Sequence, residues 1–402
     1  MRVVVELQAF PPPAAAPPII DGYCASLACA IVRHAGNYDV HVVVTHCSDE
    51  LLEKLRDSFA DLFCDNAFSV AQLPFLDGGA TERHWHRAAA ELVREHAILQ
   101  LKPDVVLCAP LTSASILVSQ LHARIPTAVA LSGLHFATRR EMSPEHDDCN
   151  SAERHKQGCR AELVLTGSEY YRQVLRDTLQ MPAECVVVVP PGVNECFRPS
   201  RVSAGQARVV TGRFGVTRDF ILSNANGTVE GVERALEAYA QLPGKLRSAN
   251  RLLVVGVIDN DQIRQAVESA RSKGLVDGEL VVAGDARDDE LAVLYNQCKL
   301  MVLPSAETSA QPALDAMSCG AAVLGPDQAG IPEIIGLHEA LFDPASARDL
   351  SEKICLVLES TEFHQKLKVH AQEQALRFSW RESARRGLDA LAALPASRLP
   401  PS

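Results

Sequence analysis

The sequence predicts an α/β chain made of two doubly wound domains, each a parallel sheet wrapped by helices. Three observations predict it. At 402 residues the chain is too long for one hydrophobic core. Short apolar runs alternate with helical segments almost from end to end, the pattern of βα units. Between Lys299 and Arg348 the order strand, loop, helix, strand is legible residue by residue.

Val3 to Phe10 reads as the first strand. The run Pro11-Pro12-Pro13-Ala14-Ala15-Ala16-Pro17-Pro18 then admits neither helix nor central strand and is expected as an extended surface loop. Helices fit Cys24 to His34, Asp49 to Phe63 and Glu82 to Gln100. Strands fit Val40 to Thr45, Val105 to Cys108, Thr127 to Leu131, Leu163 to Thr166 and Val186 to Val189. Ser168 stands at a strand-to-helix turn, where its hydroxyl caps the helix. A second series begins near Arg208. Its strands are Phe220 to Ser223, Leu252 to Val257 and Leu280 to Ala283, and its helices Val232 to Gln241, Asp261 to Lys273 and Asp289 to Cys298. Leu300 to Leu303 is a buried strand, Pro312 opens a helix carrying Leu314 and Met317, Gly320 stops it, and Ala321 to Leu324 is the next strand. A helix from Asp349 to Ser360 and a last one ending near Leu391 complete the chain. The loop before Pro312 lies beyond a strand's carboxyl end, where open α/β sheets bind ligands, and the helix N-terminus there offers N–H groups to an anion.

Composition excludes several classes of function. The balance of 39 Lys and Arg against 50 Asp and Glu is −11, which argues against nucleic acid as a partner and against a strongly basic membrane patch. Twelve cysteines are scattered singly, and Cys108, Cys185, Cys298 and Cys355 fall inside apolar runs, as free thiols of a reducing compartment do. The strand-like N-terminus lacks the apolar core of a secretion signal, and no run reaches the length of a membrane-spanning helix, so a cytoplasmic protein is expected. His146, Cys149, His155 and Cys159 are zinc-ligand types. The gap between the pairs is short for a zinc finger, however, and the last two share a helix face without needing a metal. His84 and His86 fall on different helix faces; no metal is expected.

Pro304-Ser305, Glu307, Pro312, Asp315-Ala316-Met317, Gly320, Pro332-Glu333-Ile334 and Phe342-Asp343-Pro344 together resemble the donor-binding segment of the GT-B glycosyltransferases of family 4. The resemblance extends over nearly the whole chain, in most detail from Arg160 onward. Pro190-Pro191-Gly192-Val193-Asn194 matches the turn that closes that family's first domain, Phe197-Arg198-Pro199 the start of its linker, and Phe378-Ser379-Trp380 a further mark. It implies the GT-B architecture, two Rossmann-like domains facing a cleft. Residues 1–200 would form the acceptor-side domain, 207–375 the nucleotide-sugar domain, and 376–395 a helix crossing back onto the first. It also implies roles. Glu307 would face the donor sugar and Asp315 the nucleotide ribose, with Thr308, Ser309, Ala310, Gln311, Gly284 and Asp285 around the donor. His135 would join Glu307 as a catalytic residue, and Asp21, Gly22, Ser132 and Gly133 would face the acceptor. From their chemistry alone, Glu307 also reads as a solvated loop acid, Asp315 as a first-turn helix charge and His135 as an ordinary loop or core histidine.

The chain departs from the family where charge matters most. A departing nucleoside diphosphate gains negative charge, and its stabilisation is usually the largest catalytic contribution. The family supplies an Arg and a Lys-Gly after the first strand of its second domain. Matching Gly231 to that glycine puts the Lys position on Glu230 and the Arg position near Ala225. No Lys or Arg stands between Arg218 and Arg234, nor between Lys299 and Arg348, which leaves Arg213 and Arg218 as candidates to fold over the phosphates. The step Leu131 to His135 has no acid where the family has one, and Thr308 to Gln311 has no glycine for close backbone approach. The expected function is a retaining, metal-independent transferase moving a hexose, mannose by detailed likeness, from a GDP- or UDP-linked donor to a glycan or lipid-linked acceptor in surface polysaccharide synthesis. No cofactor beyond that nucleotide sugar is implied. A lipid-linked acceptor would bring peripheral membrane contact, and homo- or hetero-oligomers stay open. The departures leave two other readings: an inactive relative that partners an active enzyme or binds glycan, and a sugar-nucleotide epimerase on the same scaffold.

Overall fold

The computed structural model describes residues 1–9, 22–46, 68–73, 80–110, 125–132, 161–200, 203–224, 229–256, 260–284, 286–305 and 310–394. The chain divides into two compact units, Met1–Gly192 with Trp380–Ser402, and Val193–Ser379. Both are α/β with a parallel sheet, as the alternation of apolar runs and helices predicts.

In the first unit seven strands, β1 (Arg2–Ala9), β2 (Asp39–His46), β3 (Phe68–Gln72), β4 (Val105–Pro110), β5 (Thr127–Leu131), β6 (Leu163–Thr166) and β7 (Val186–Val188), lie in the order β3-β2-β1-β4-β5-β6-β7. Every neighbouring pair is parallel. Successive side chains point to opposite faces, so β1 serves two cores. Val3, Val5 and Leu7 pack with Tyr23, Leu27 and Ile31 of α1 (Gly22–Arg33) and with Leu388 and Leu391 of the chain's last helix, Trp380–Ala392. Val4 packs on the other face with Val43, Val106 and Ile98 of α2 (Ala80–Gln100). Within that face lies a fully buried ion pair. Arg94 of α2 grips Glu6 of β1 through Nε and, at 2.6 Å, through Nη2; Thr45 and Gln8 also donate to the same carboxylate at 3.0 and 3.1 Å. Two charges out of water hold one another through close pairing and added hydrogen bonds, although Arg94 Nη1 has no partner among the described residues. The helix α3 (Glu169–Leu179) starts as predicted, Ser168 Oγ accepting from Tyr171 N at 3.2 Å.

The chain leaves this unit at Gly192 and re-enters it at Trp380, and the two points touch. A Cβ on Gly192 would stand 2.1 Å from Trp380 N, so only glycine fits. Ser383 Oγ donates to Pro190 O at 2.5 Å and Tyr23 Oη to Val189 O at 2.7 Å, which fastens both ends.

The second unit holds β8 (Phe220–Asn224), β9 (Arg251–Val255), β10 (Leu280–Val282), β11 (Leu300–Val302), β12 (Val323–Pro326) and β13 (Leu341–Phe342), in the order β10-β9-β8-β11-β12-β13, all parallel. Nine helices among the described residues accompany them: α4 (Ala204–Arg213), α5 (Val229–Ala240), α6 (Gly244–Ala249), α7 (Asn260–Ser272), α8 (Asp288–Gln297), α9 (Gln311–Ser318), α10 (Ile331–Ile335), α11 (Ala347–Glu359) and α12 (Thr361–Ala375). The 1–200 range expected for the first domain runs too far. Residues 193–200 belong to the second unit because Phe197 is buried there against Tyr295, ring centroids 5.8 Å apart, and Ser318 Oγ donates to Phe197 O at 2.8 Å. Residues 376–379 belong to it as well. Among the described residues no helix is long and apolar enough to cross a membrane.

Candidate functional site

Because its strands all run one way, the second unit gathers the segments that follow them at one sheet edge. Asn224 ends β8, Gly256 follows β9 and Gly284 follows β10, with Gly256 N donating to Gly284 O at 3.4 Å. Pro304 and a buried Ser305 follow β11. After them comes α9, with Ala310 at its N-cap and Pro312 in its first turn. Gly320 ends it at φ +81°, a left-handed conformation that a side chain disfavours.

Gln311 and Asp315 stand one turn apart on one face of α9, and Gln311 Nε2 donates to Asp315 Oδ1 at 2.8 Å. Asp315 is only 6% exposed. Burial holds its carboxyl well above the usual carboxylate range; the Gln311 N–H opposes that rise, and Asp288 of α8 adds to it. The same acids act on neighbouring groups. Burial, then Asp288 and Asp315, push the Cys196 thiol up to about 11. Burial, then Asp315, push Cys319 up to about 12 and raise the Tyr295 phenol as well. Asn224 Nδ2 donates to Tyr295 Oη at 3.4 Å, tying the end of β8 to α8. Among the described residues, no cation contributes to the field at Asp315.

Of the residues singled out in the sequence, Asp315, Gln311, Ala310 and Gly284 are thus placed at or beside one sheet edge of the second unit. Ser132 follows β5 at the carboxyl edge of the first sheet, half-buried, and Gly22 opens α1 in an exposed position. Glu307, Thr308, Ser309, Asp285, His135, Asp21 and Gly133 lie outside the described residues, as do the Pro-rich run, the expected helix Asp49 to Phe63 and the quartet His146, Cys149, His155 and Cys159. Among the described residues no group of three or more His, Cys, Asp or Glu is arranged to hold a metal ion.

The basic residues fall elsewhere than the sequence suggests. Arg218 precedes β8 and donates to Gly278 O, just before β10, at 2.8 Å, which puts it at the opposite sheet edge. Arg213 is committed to an ion pair with Glu290. Arg234 of α5, by contrast, reaches the carboxyl end of β11, its Nη1 donating to Pro304 O at 3.4 Å. Sequence reasoning passed over Arg234, Asp288, Tyr295 and Asn224. For Asn224 a signal was available, a polar residue closing an apolar strand; for the others only the fold brings them to this edge.

The comparisons agree with this layout. The model for glycosyl transferases group 1 matches residues 208–374, and that for glycosyltransferase family 4 matches residues 23–195. The serotype-specific mannosyltransferase WbdA of Escherichia coli is 26% identical over 374 residues, covering 90% of this chain and 46% of that one. The chain therefore spans less than half the length of that curated relative. Among solved structures, WaaG, a glycosyltransferase involved in lipopolysaccharide biosynthesis, superposes with a TM-score of 0.69 at 15% identity, covering 98% of this chain and 100% of that one. HepE of Anabaena, in complex with UDP and glucose, gives 0.70 at 17% identity over 97% and 100% of the two chains. These two carry the GT-B fold, and their likeness speaks for fold alone. With one family model on each unit, a GT-B architecture and the donor-segment pattern in place, the chain belongs to the family 4 glycosyltransferases.

Proposed function

We propose that the chain transfers a hexose from a nucleotide diphosphate sugar to a glycan or lipid-linked acceptor in surface polysaccharide synthesis. The observation that carries this reading is Asp315. A carboxylate kept nearly dry at a ligand-binding sheet edge, against its own solvation, is a costly feature for structure alone and a fitting one for a ribose diol. Membership of the family supports the transferase chemistry, and the mannosyltransferase relatives favour mannose; a GDP-linked donor is part of the proposal. The UDP complex of HepE keeps a UDP-linked donor in view. Glu307 is proposed to face the donor sugar with Thr308, Ser309 and Asp285 nearby, and His135, Ser132, Gly133, Asp21 and Gly22 to line the acceptor side. Retention of configuration and independence from metal belong to the same proposal.

Calorimetric titration of the protein with UDP and with GDP tests it. One of the two is expected to bind, and Asp315→Ala to abolish that binding. Absence of binding by either nucleotide would overturn the donor site and leave a non-catalytic relative. Hydrolysis of a panel of nucleotide sugars, with and without a chelator, then names the donor and the metal requirement.

A further inference from the structure

We propose that Arg234 binds the diphosphate of the donor, supplying from the second turn of α5 the positive charge missing at Glu230 one turn earlier; this deepens the donor-site reading and rests on it. The guanidinium leaves α5 toward the carboxyl end of β11, where Nη1 donates to Pro304 O at 3.4 Å. Pro304 immediately precedes Ser305 and the segment that carries Glu307, Thr308 and Ser309. Arg234 is half-buried, yet among the described residues this long carbonyl contact is its one hydrogen-bond partner and no carboxylate pairs with it. A guanidinium partly removed from water without a counter-ion is unfavourable until an anion arrives.

The neighbouring arginines do not share this state. Arg213 is paired with Glu290, Arg287 with Asp289 at 3.0 Å, and Arg247 with Glu279 at 3.2 Å. Arg218 and Arg251 both donate to Gly278 O at the other sheet edge. On the α8–α9 side of the site stand the acids Asp288 and Asp315, which offer phosphate no positive partner. An incoming diphosphate is therefore drawn to the α5 side, where a fork of N–H donors matches its oxygens.

The test compares UDP and GDP with uridine and guanosine as ligands of the intact protein. Arg234→Gln is expected to lose about ten- to hundredfold in affinity for whichever diphosphate binds, the range for a hydrogen bond to a charged group, with nucleoside affinity unchanged. Arg234→Lys should restore part of the loss as a point charge, and the salt dependence of diphosphate binding should flatten in Arg234→Gln. Arg218→Gln, at the opposite edge, should leave both affinities alone. If Arg234→Gln keeps the full preference for diphosphate over nucleoside, or loses both affinities equally, the inference is overturned and the donor site stands. If the unaltered protein binds neither diphosphate, the donor site itself falls.

Discussion

Folding resists the ionised form of Asp315. Its carboxyl titrates well above the ordinary range because burial outweighs the Gln311 hydrogen bond. The folded chain thus binds this proton more tightly than the unfolded chain, and stability falls as pH rises from the usual carboxylate range through the raised value. Asp315→Asn, which keeps the shape and discards the charge, is expected to melt about 2–4 °C higher at neutral pH, equivalent to roughly 1 kcal/mol in a unit of this size, while losing nucleotide binding. A scanning-calorimetry trace that moves down instead would contradict this account. Gln311→Leu removes the N–H that favours the ionised form, so nucleotide affinity should drop about tenfold near neutrality and recover as pH is raised. Titrations at several pH values distinguish this from a loss that is constant with pH. The sequence pointed to Asp315 through the donor-segment pattern, but not to its partners. Asp288 and Tyr295 are far from it along the chain, and only the packing of α8 beside α9 makes them neighbours.

The helix α9 and the strands around it were legible because each boundary carries its own chemistry: an apolar run for β11, Pro312 at the helix start, Gly320 at its end. Gly320→Ala forces a side chain into φ +81° and is expected to cost about 1–2 kcal/mol. Most of that cost is backbone, since the nearest obstruction is the mobile tip of Gln372 at 2.5 Å. Chemical denaturation of the purified variant gives the value. Several elements were missed: the short α6, α10 and β13, and also β3, α4 and α12. The strand β3 (FSVAQ) is short and mixes polar with apolar residues, so its period is lost. The helix α4 begins at a Ser203 capping box ahead of the point where the second series was placed, and it buries little. The helix α12 (TEFHQKLKVHAQEQA) buries Leu367, Ala371, Gln374 and Ala375 on one face, a stripe that two alanines and a glutamine leave faint in the sequence. The strand β12 starts two residues later than its apolar run, since Ala321 and Ala322 complete the turn after Gly320.

At the scale of the whole molecule, the sequence showed two βα series, because apolar periodicity is a local property. It did not show that Phe197 anchors the crossing segment in the second core, which depends on a ring contributed by Tyr295. Nor did it show the buried Arg94–Glu6 pair, since nothing in a helix of alternating charges marks one arginine as internal. The contact between Gly192 and Trp380 has a consequence for how the protein can be taken apart. Val193–Ser379 enters and leaves through adjacent points, so it is a guest carried by a host whose own ends it does not stretch. Joining Gly192 to Trp380 through a few Gly and Ser residues should leave the seven-stranded host folded with a single cooperative melt by circular dichroism, and a non-cooperative remnant would count against it. Where that excision succeeds, the second unit becomes a cassette, open to replacement by a relative's at two neighbouring peptide bonds.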